Sequence, residues 1–362
     1  MDVVAGFSEL MEEIRNSPEP YKPSPFWEEL AAIGIKQLEN GGFENFKRTI
    51  NMTYFNWGLL GILRHQLVPV ASRGIRYSRW RVFQARFSNY RSAQSKRSYH
   101  KASDFRTRVP DVASFNWMSA FLYRTYVAML WERVSECDTL GLLSRLDEPA
   151  TGNPFLIDYR GRRTSQDLCN SVHEFYSAGV AKPKNGHSLN IAELGGGYGR
   201  LAYVWLKALP AITYTMIDIA PALNVAQEYL SQVFPNERLF LFRRFRRFED
   251  IRAEFEQSRI RFLSANQIEL LPRKQFDIFL NISSLHEMTY EQIDTYLRQI
   301  DRLCRGQFYT KQWRRSQAQM NGFVIRETEY PIPANWREIY REKHPIQRLF
   351  FHALYDVGGR ES

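Results

Sequence analysis

The segment NIAELGGGYGRLA, residues 190–202, joins a short apolar strand, four glycines in five positions and the start of a helix. Glycines allow the backbone to approach a ligand closely, and the N-terminus of a helix points N–H groups at it. A glycine-rich segment in this context is typical of α/β proteins that bind a nucleotide-like ligand. We call residues 194–199 the glycine loop.

Apolar strand segments alternate with helical segments from about residue 165 onward. One predicted helix, residues 289–303, begins with a Thr-x-x-Gln capping box at Thr289–Gln292. This alternation predicts a parallel, doubly wound sheet. The predicted strands are LNIAEL (189–194), ITYTMIDI (212–219), IRFLS (260–264), FDIFLNI (276–282), GQFYTKQW (306–313) and GFVIRETEYPIP (322–333), the last two closing one edge.

The spacing within the glycine loop distinguishes two cofactors. A nicotinamide fingerprint reads G-x-G-x-x-G, but the sixth position counted from Gly195 is Arg200. The acid Glu193, two residues before the first glycine, suits a ligand with a cationic end and would repel a pyrophosphate. S-adenosylmethionine has such an end, because its amino group and its sulfonium are cationic. We therefore expect S-adenosylmethionine, with purely structural glycines or another nucleotide as alternatives.

Further cofactor contacts are expected after the next two strands. Asp218 ends the second strand, where an acid can accept hydrogen bonds from both ribose hydroxyls. The segment FLSANQ follows the third strand, where adenine would lie. The predicted cofactor-binding residues are Glu193, Gly195, Gly196, Gly197, Asp218, Ile219, Ser264, Ala265, Asn266 and Asn281.

These residues, together with several longer runs, resemble the S-adenosylmethionine-dependent sugar O-methyltransferases of polysaccharide and natural-product biosynthesis. The glycine loop is shared by all such methyltransferases and points only to the cofactor. The basic segment, residues 61–110, does not match well. The runs that carry the resemblance are FWEELAAIGIKQLENGGFENFKRTINMTYFNW (26–57), TGNP (151–154), TSQDLCNSVHEFYS (164–177), NISSLHEM (281–288), YTKQW (309–313), KHPIQ (343–347) and the rest of 330–355.

The resemblance implies a Rossmann-like class I methyltransferase sheet over residues 161–362. It also implies a mainly helical N-terminal region over residues 1–160 that acts as a lid or acceptor region. Gln166, Asp167 and Ser171 would then lie near the methionine end of the cofactor, with simple capping and surface hydration as the alternative.

The run NISSLHEM supplies the catalytic candidate. It follows a parallel strand, and open α/β sheets bind ligands at the carboxyl ends of such strands. A sugar hydroxyl stays protonated at neutral pH, so a base should take its proton, and His286 is the expected base, with a pKa near its ordinary value of ~6.5. The alternative is a loop histidine that bonds only to the backbone. Glu287 is expected to point away from His286 and to orient the acceptor or another residue, and His344 is a second candidate base.

Polar and aromatic residues near the predicted site are candidates for acceptor binding. Lys311 and Gln312 would bind acceptor oxygens or an anionic group, whereas Tyr309, Trp313 and Trp57 would stack on a sugar face or belong to the core. Acids are few near His286, and no Asp/His pair has ligand spacing, so we expect no metal.

The net charge of +10 is concentrated in the basic segment, which contains twelve Lys/Arg and one acidic residue. Arginines interleaved with aromatic residues suit either a solvated surface insert or a surface for phosphate or RNA. An RNA methyltransferase is therefore one alternative function, and a C- or N-methyltransferase of a natural product is another. We expect a small sugar or glycoside acceptor rather than nucleic acid.

Composition bounds the cellular context. No apolar run approaches the ~20 residues of a membrane helix, and the acidic, mixed N-terminus does not resemble a signal peptide. Cys137, Cys169 and Cys304 are scattered, so we expect reduced packing residues. These features predict a cytoplasmic protein without membrane contact, and a homo-oligomer is left open.

Overall fold

The computed structural model describes residues 3–41, 43–48, 66, 70, 81–89, 117–179, 188–316 and 322–358. Trp57 and most of the basic segment lie outside the described residues. The chain divides into two compact units, which we describe separately. Unit one comprises the described residues within 1–31, 177–344 and 349–362, and unit two comprises those within 32–176 and 345–348.

The helices and strands of the described residues are numbered here in chain order. The helices are α1 (Val3–Arg15), α2 (Pro25–Gly41), α3 (Trp117–Ser135), α4 (Leu142–Arg145), α5 (Gln166–Ser177), α6 (Arg200–Ala208), α7 (Ala222–Val233), α8 (Arg252–Gln257) and α9 (Tyr290–Leu303). The strands are β1 (Arg86–Phe87), β2 (Ile157–Tyr159), β3 (Arg162–Thr164), β4 (Leu189–Leu194), β5 (Ile212–Asp218), β6 (Leu239–Phe240), β7 (Ile260–Ser264), β8 (Phe276–Ile282), β9 (Cys304–Trp313), β10 (Arg337–Lys343) and β11 (Phe350–Asp356).

A large sheet organises unit one, and its strand order is β10-β11-β9-β8-β4-β5-β7-β6. The strands from β4 to β9 pair in parallel, whereas β11 runs antiparallel between β9 and β10. Strands buried on both faces require continuous apolar runs, and Ile191, Phe279 and Leu280 are completely buried. The carboxyl ends of β4, β5, β7 and β8 therefore lie along one edge of a Rossmann-like sheet. Unit two contains the small antiparallel sheet β1-β2-β3.

One predicted strand is wrong. Residues 322–333 form no strand and contribute only a single bridge between Arg326 and Arg315. Pro331 and Pro333 lack the N–H group that a ladder requires, which explains why this segment does not extend the sheet. The antiparallel edge comes instead from β10 and β11.

The predicted capping box at the start of α9 is confirmed. The Gln292 backbone N–H donates to Thr289 Oγ1 at 3.3 Å, and the Thr289 backbone N–H donates to Gln292 Oε1 at 2.9 Å. This reciprocal pair fixes where α9 begins, and so fixes the length of the loop between β8 and α9.

Neither a disulfide bond nor a membrane-crossing helix is found in the part of the chain that the structure describes. Cys169 and Cys304 are buried free thiols, and Cys137 is a half-buried one. No described helix is both long enough and apolar enough to span a bilayer.

Candidate active site

Two loops meet where β4 and β8 end. The glycine loop follows β4, and the segment 283–288, which we call the histidine loop, follows β8. Asn281 Nδ2 donates to the Leu194 carbonyl at 2.9 Å. A Cβ atom placed on Gly195 would lie 2.2 Å from Ser284 Oγ, so the two loops touch. The predicted cofactor loop and the predicted catalytic loop are thus brought together.

The backbone of the glycine loop has the conformation that glycine favours. Gly195, Gly197 and Gly199 have φ angles of +70°, +58° and +89°, in the left-handed region. A Cβ on Gly197 would meet nothing within 4 Å, whereas one on Gly196 would lie 2.8 Å from Glu193 Oε2. The backbone at Gly197 therefore faces open space, as a cradle for a ligand requires.

Two acids flank this cradle. Asp218 accepts hydrogen bonds from the backbone N–H groups of Gly197, at 2.9 Å, and Ile219, at 2.7 Å. Burial raises the pKa of Asp218 to about 7, and the two N–H bonds oppose that shift. Glu193 is buried and accepts a hydrogen bond from the Tyr214 hydroxyl at 2.7 Å. A ligand that brings hydroxyl donors or positive charge would favour the ionised form of Asp218.

The end of β7 carries the residues predicted to border adenine. Ser264 and Ala265 are buried, and Ser264 Oγ donates to Asn266 Oδ1. Asn266 Nδ2 donates to Glu13 Oε1 on α1 at 2.6 Å. Both ends of the Asn266 amide therefore have protein partners, and its predicted adenine contact stays a prediction.

The imidazole of His286 is completely enclosed. Its ring stacks on Trp313 with centroids 4.7 Å apart, and its Nδ1 lies 2.9 Å from Gln312 Oε1. Burial lowers the pKa of His286 to about 3, the positive charge of Lys311 lowers it further, and the bond to Gln312 opposes this shift. The expected pKa near ~6.5 is wrong, because a buried imidazolium loses its hydration. His286 is therefore neutral throughout the physiological range.

His286 Nε2 has no hydrogen-bond partner among the described residues. The expectation that Glu287 points away from it is wrong, because Glu287 Oε1 lies 3.7 Å from Nε2. The two residues share a 3₁₀ turn, Leu285–Glu287. Burial raises the pKa of Glu287 to about 8, an effect opposed by a bond to Trp27 and reinforced by the charge of Asp218. A single hydroxyl group placed beside the pair could contact both side chains.

An N-terminal segment also reaches this site, which the sequence did not reveal. Ser24 Oγ donates to the Glu287 carbonyl at 3.0 Å, and the Trp27 side chain hydrogen-bonds to the Glu287 carboxyl group. Gln292 Nε2 donates to the Lys22 carbonyl at 2.6 Å. The only available signal was indirect, since Trp27 lies in the first of the runs that resemble sugar O-methyltransferases.

The acceptor-binding candidates on β9 are buried in protein contacts. Lys311 Nζ lies 5.0 Å from the centroid of the Phe350 ring, and the Tyr309 hydroxyl lies 3.5 Å from His352 Nδ1. The Gln312 amide and the face of the Trp313 indole both contact the His286 ring. Acceptor binding by these residues stays a prediction. The four are Tyr309, Lys311, Gln312 and Trp313.

The second candidate base lies at the antiparallel edge of the sheet. The backbone N–H of His344 donates to the Phe350 carbonyl at 3.0 Å, and its ring packs against His352 with centroids 5.0 Å apart. His352 Nε2 lies 3.3 Å from Glu342 Oε1. Among the residues that the structure describes, no group of three or more His, Cys, Asp or Glu is arranged to hold a metal ion.

Helix α5 carries the three residues that the resemblance implied, of which Asp167 is half-buried. Gln166 and Ser171 are both buried. Neither amide atom of Gln166 has a hydrogen-bond partner within the described ranges, and the same is true of Asn170 one turn later. Buried amides ordinarily find hydrogen-bond partners. The role of Gln166 and Ser171 stays a prediction.

Comparisons with known proteins add structural neighbours. No protein-family model matches the sequence, and no curated protein matches it. The mitomycin 7-O-methyltransferase is 16% identical, with a TM-score of 0.37, over 53% of this chain and 54% of that one. An S-adenosylmethionine-dependent methyltransferase from Aquifex aeolicus is 12% identical, with a TM-score of 0.35, over 59% and 96%. The Burkholderia thailandensis 1,6-didemethyltoxoflavin-N1-methyltransferase, solved with S-adenosylhomocysteine, is 13% identical, with a TM-score of 0.32, over 47% and 72%.

The chain spans about half the length of the mitomycin enzyme. Unit one has a Rossmann-like α/β sheet that is mostly parallel, with β11 inserted antiparallel between β9 and β10. The fold class expected from the sequence is confirmed.

Proposed function

We propose that this protein is an S-adenosylmethionine-dependent methyltransferase that methylates a hydroxyl group of a sugar or glycoside, with His286 as general base. One observation carries the proposal. A buried imidazole nitrogen without a partner in the described structure lies 3.7 Å from a carboxyl oxygen, in a loop that touches the glycine loop.

The residues around the glycine loop fit S-adenosylmethionine. Gly197 leaves open space beside the backbone, and the acids Glu193 and Asp218 flank it. A cationic ligand is favoured beside carboxylates, and hydroxyl groups of a ribose suit the end of β5. In this proposal the glycine loop, Glu193 and Asp218 hold the cofactor. When bound, it supplies an electrophilic methyl group on a cationic sulfur.

The histidine loop would act on the acceptor. His286 is neutral at physiological pH, so a lone pair of its imidazole is available to take the hydroxyl proton as the new oxygen–carbon bond forms. Stacking on Trp313 and the bond to Gln312 hold the ring in one orientation, as in-line transfer requires. The carboxyl group of Glu287, once ionised, would stabilise the imidazolium that results.

The sugar acceptor is supported by the resemblance of the runs NISSLHEM, YTKQW and KHPIQ to sugar O-methyltransferases. The proposed organisation places acceptor binding in residues 1–160 and the methyltransferase domain in residues 161–362. The contact of Trp27 with Glu287 supports an acceptor role for the N-terminal region. Methylation of a natural product at carbon or nitrogen is the runner-up.

Methyl transfer from radiolabelled S-adenosylmethionine into an extract of the source organism tests the acceptor class. The reaction is run with and without RNase, with His286→Ala as the control enzyme. Label in small, RNase-resistant and glycosidase- or periodate-sensitive material supports the proposal. Label that RNase removes would replace it with RNA methylation and make the basic segment the binding surface.

A further inference from the structure

Three buried side chains, those of Asn281, Gln312 and His286, form a path of hydrogen bonds from the carboxyl end of β4. Asn281 and Gln312 are completely buried, and His286 is 1% exposed. They come from β8, β9 and the histidine loop, which the parallel pairing of β8 and β9 brings together. Their hydrogen bonds form one continuous path with a fixed direction.

The direction of these hydrogen bonds is fixed first at the backbone carbonyl of Leu194. The Leu194 carbonyl can only accept, so the group that faces it at 2.9 Å must be the Asn281 amide nitrogen. The Asn281 oxygen then accepts from the backbone N–H of Leu285, at 3.3 Å, and from Gln312 Nε2. The contacts with the Leu194 carbonyl and with the Leu285 N–H therefore require the same orientation of the Asn281 amide.

The orientation of the Gln312 amide follows in the same way. Its nitrogen also faces the Asn281 backbone carbonyl at 3.2 Å, which again can only accept. Its oxygen accepts from the backbone N–H of His286 at 3.2 Å. The atom that lies 2.9 Å from His286 Nδ1 is therefore an oxygen without a proton to give.

Nδ1 must then be the nitrogen that carries the proton. If it were not, two lone pairs would face each other at 2.9 Å. The Trp313 backbone N–H lies farther away, at 3.4 Å from Nδ1, and does not outweigh the shorter contact. In a neutral imidazole the other nitrogen, Nε2, is left with the lone pair.

We infer that Asn281 and Gln312 are positioning residues that hold His286 in the Nδ1–H tautomer and so place its basic lone pair at Nε2, facing Glu287. This inference rests on the proposed function for its consequence, since the lone pair matters only if His286 takes a proton. The tautomer itself is a property of the protein without ligand. It adds a role to both residues beside the sequence-based expectations of acceptor binding for Gln312 and cofactor binding for Asn281, which stay predictions.

Nitrogen NMR of the imidazole tests the tautomer directly. The protein is labelled with ¹³C and ¹⁵N only at its seven histidines, and His286 is assigned by the signals that disappear in His286→Ala. At pH 7 we expect a protonated, pyrrole-type Nδ1 and an unprotonated, pyridine-type Nε2 for His286. The reverse pattern, or an equal mixture, would overturn the inference without any measurement of activity.

The variant Gln312→Met tests the cause. It removes the accepting oxygen at similar volume, so the Nδ1–H signal of His286 should weaken. We expect kcat to fall ~10–10²-fold and the Kd for S-adenosylmethionine to change less than about twofold. Gln292→Met is the matched control, because Gln292 is also buried and hydrogen-bonded but caps α9. It should lose stability without altering the His286 signals. An unchanged tautomer in folded Gln312→Met would show that Gln312 does not position the ring.

The proposed function fails in a different way. If His286→Ala transfers methyl groups at the full rate while the wild-type ring shows the expected tautomer, the base assignment is wrong and the hydrogen-bond path remains.

Discussion

The glycine loop and the histidine loop touch each other, yet they hold their polar groups by different means. In the glycine loop, the backbone N–H of Gly197 binds the side chain of Asp218 at the end of the neighbouring strand β5. Asp218 also accepts from the backbone N–H of Ile219, the next residue in the chain. In the histidine loop, side-chain amides from two strands orient His286 and leave Nε2 without a partner in the described structure. The first arrangement suits binding, because it is largely satisfied before a ligand arrives. The second suits chemistry, because it keeps one reactive atom unsatisfied.

The largest expected effect is a loss of rate without a loss of cofactor affinity, which would assign the chemistry to the histidine loop and cofactor binding to the glycine loop. His286→Ala should lower kcat by ~10²–10⁴-fold and leave the Kd for S-adenosylmethionine nearly unchanged, because it removes only the base. Single-turnover methyl transfer and calorimetric titration measure the two quantities. His286→Asn keeps a polar group at the position and controls for the cavity left beside Trp313. A loss of cofactor affinity equal to the loss of rate would contradict the assignment of binding to one loop and chemistry to the other.

The second largest effect is expected on cofactor binding at the glycine loop. Asp218→Asn should weaken cofactor binding by ~10–10²-fold, because hydrogen bonds to a charged group are stronger than those to a neutral one. Bound cofactor should react at a nearly normal rate. Titration with S-adenosylhomocysteine measures the affinity, and unchanged affinity would refute the ribose role of Asp218.

The same residue predicts a pH dependence of stability. The folded-state pKa of Asp218 is raised by burial from 3.8 to about 7. The unfolded chain therefore releases this proton at lower pH, and the contribution of Asp218 to the free energy of unfolding falls as pH rises from about 4 to about 7. Denaturant titrations of the ligand-free protein should show a flatter slope in this window for Asp218→Asn than for the wild type. Parallel slopes would mean that Asp218 is not buried as described.

A matched pair of glycine substitutions sharpens the contact between the loops. Gly195→Ala and Gly197→Ala both place a side chain at positive φ, at a cost of ~1–2 kcal/mol each. Only the first would also collide with Ser284, so its melting temperature should fall further. The second should instead weaken cofactor binding, because its methyl group enters the open space beside the loop. Equal melting temperatures would show that the histidine loop moves aside at little cost.

The smallest effect concerns pH and activity. Since His286 is neutral at all physiological pH values, we expect no inflection in kcat/KM near pH 6.5. Ionisation of Asp218 and Glu287, whose pKa values are raised to about 7 and about 8, should make activity rise with pH between about 6 and 9. Glu287→Gln should remove the upper part of this rise. A single inflection near 6.5 that disappears in His286→Asn would show that the imidazole is far more hydrated than described.

The strands and the start of α9 were more predictable than the surroundings of His286, for a physical reason. The strands β4, β7 and β8 coincide with their predicted ranges, and the capping box at Thr289 is confirmed. Both features depend only on residues that are neighbours in the chain. The contact between Gln312 and His286 depends on strand pairing across 26 residues, which no local pattern contains. The pKa of His286 was predicted wrongly for the same reason, because its burial comes from Trp313 and Phe350 on other strands.

The contact between the N-terminal segment and the histidine loop has a consequence for how the protein is made. Tyr21, which is 1% exposed, hydrogen-bonds to Glu269 and Gln299, which follow it by 248 and 278 positions. At a synthesis rate of roughly 5–20 residues per second, the segment waits on the order of 10–60 s on the ribosome before its partners exist. During that interval Tyr21 has neither partner, so this part of the fold is completed only after Glu269 and Gln299 have been translated.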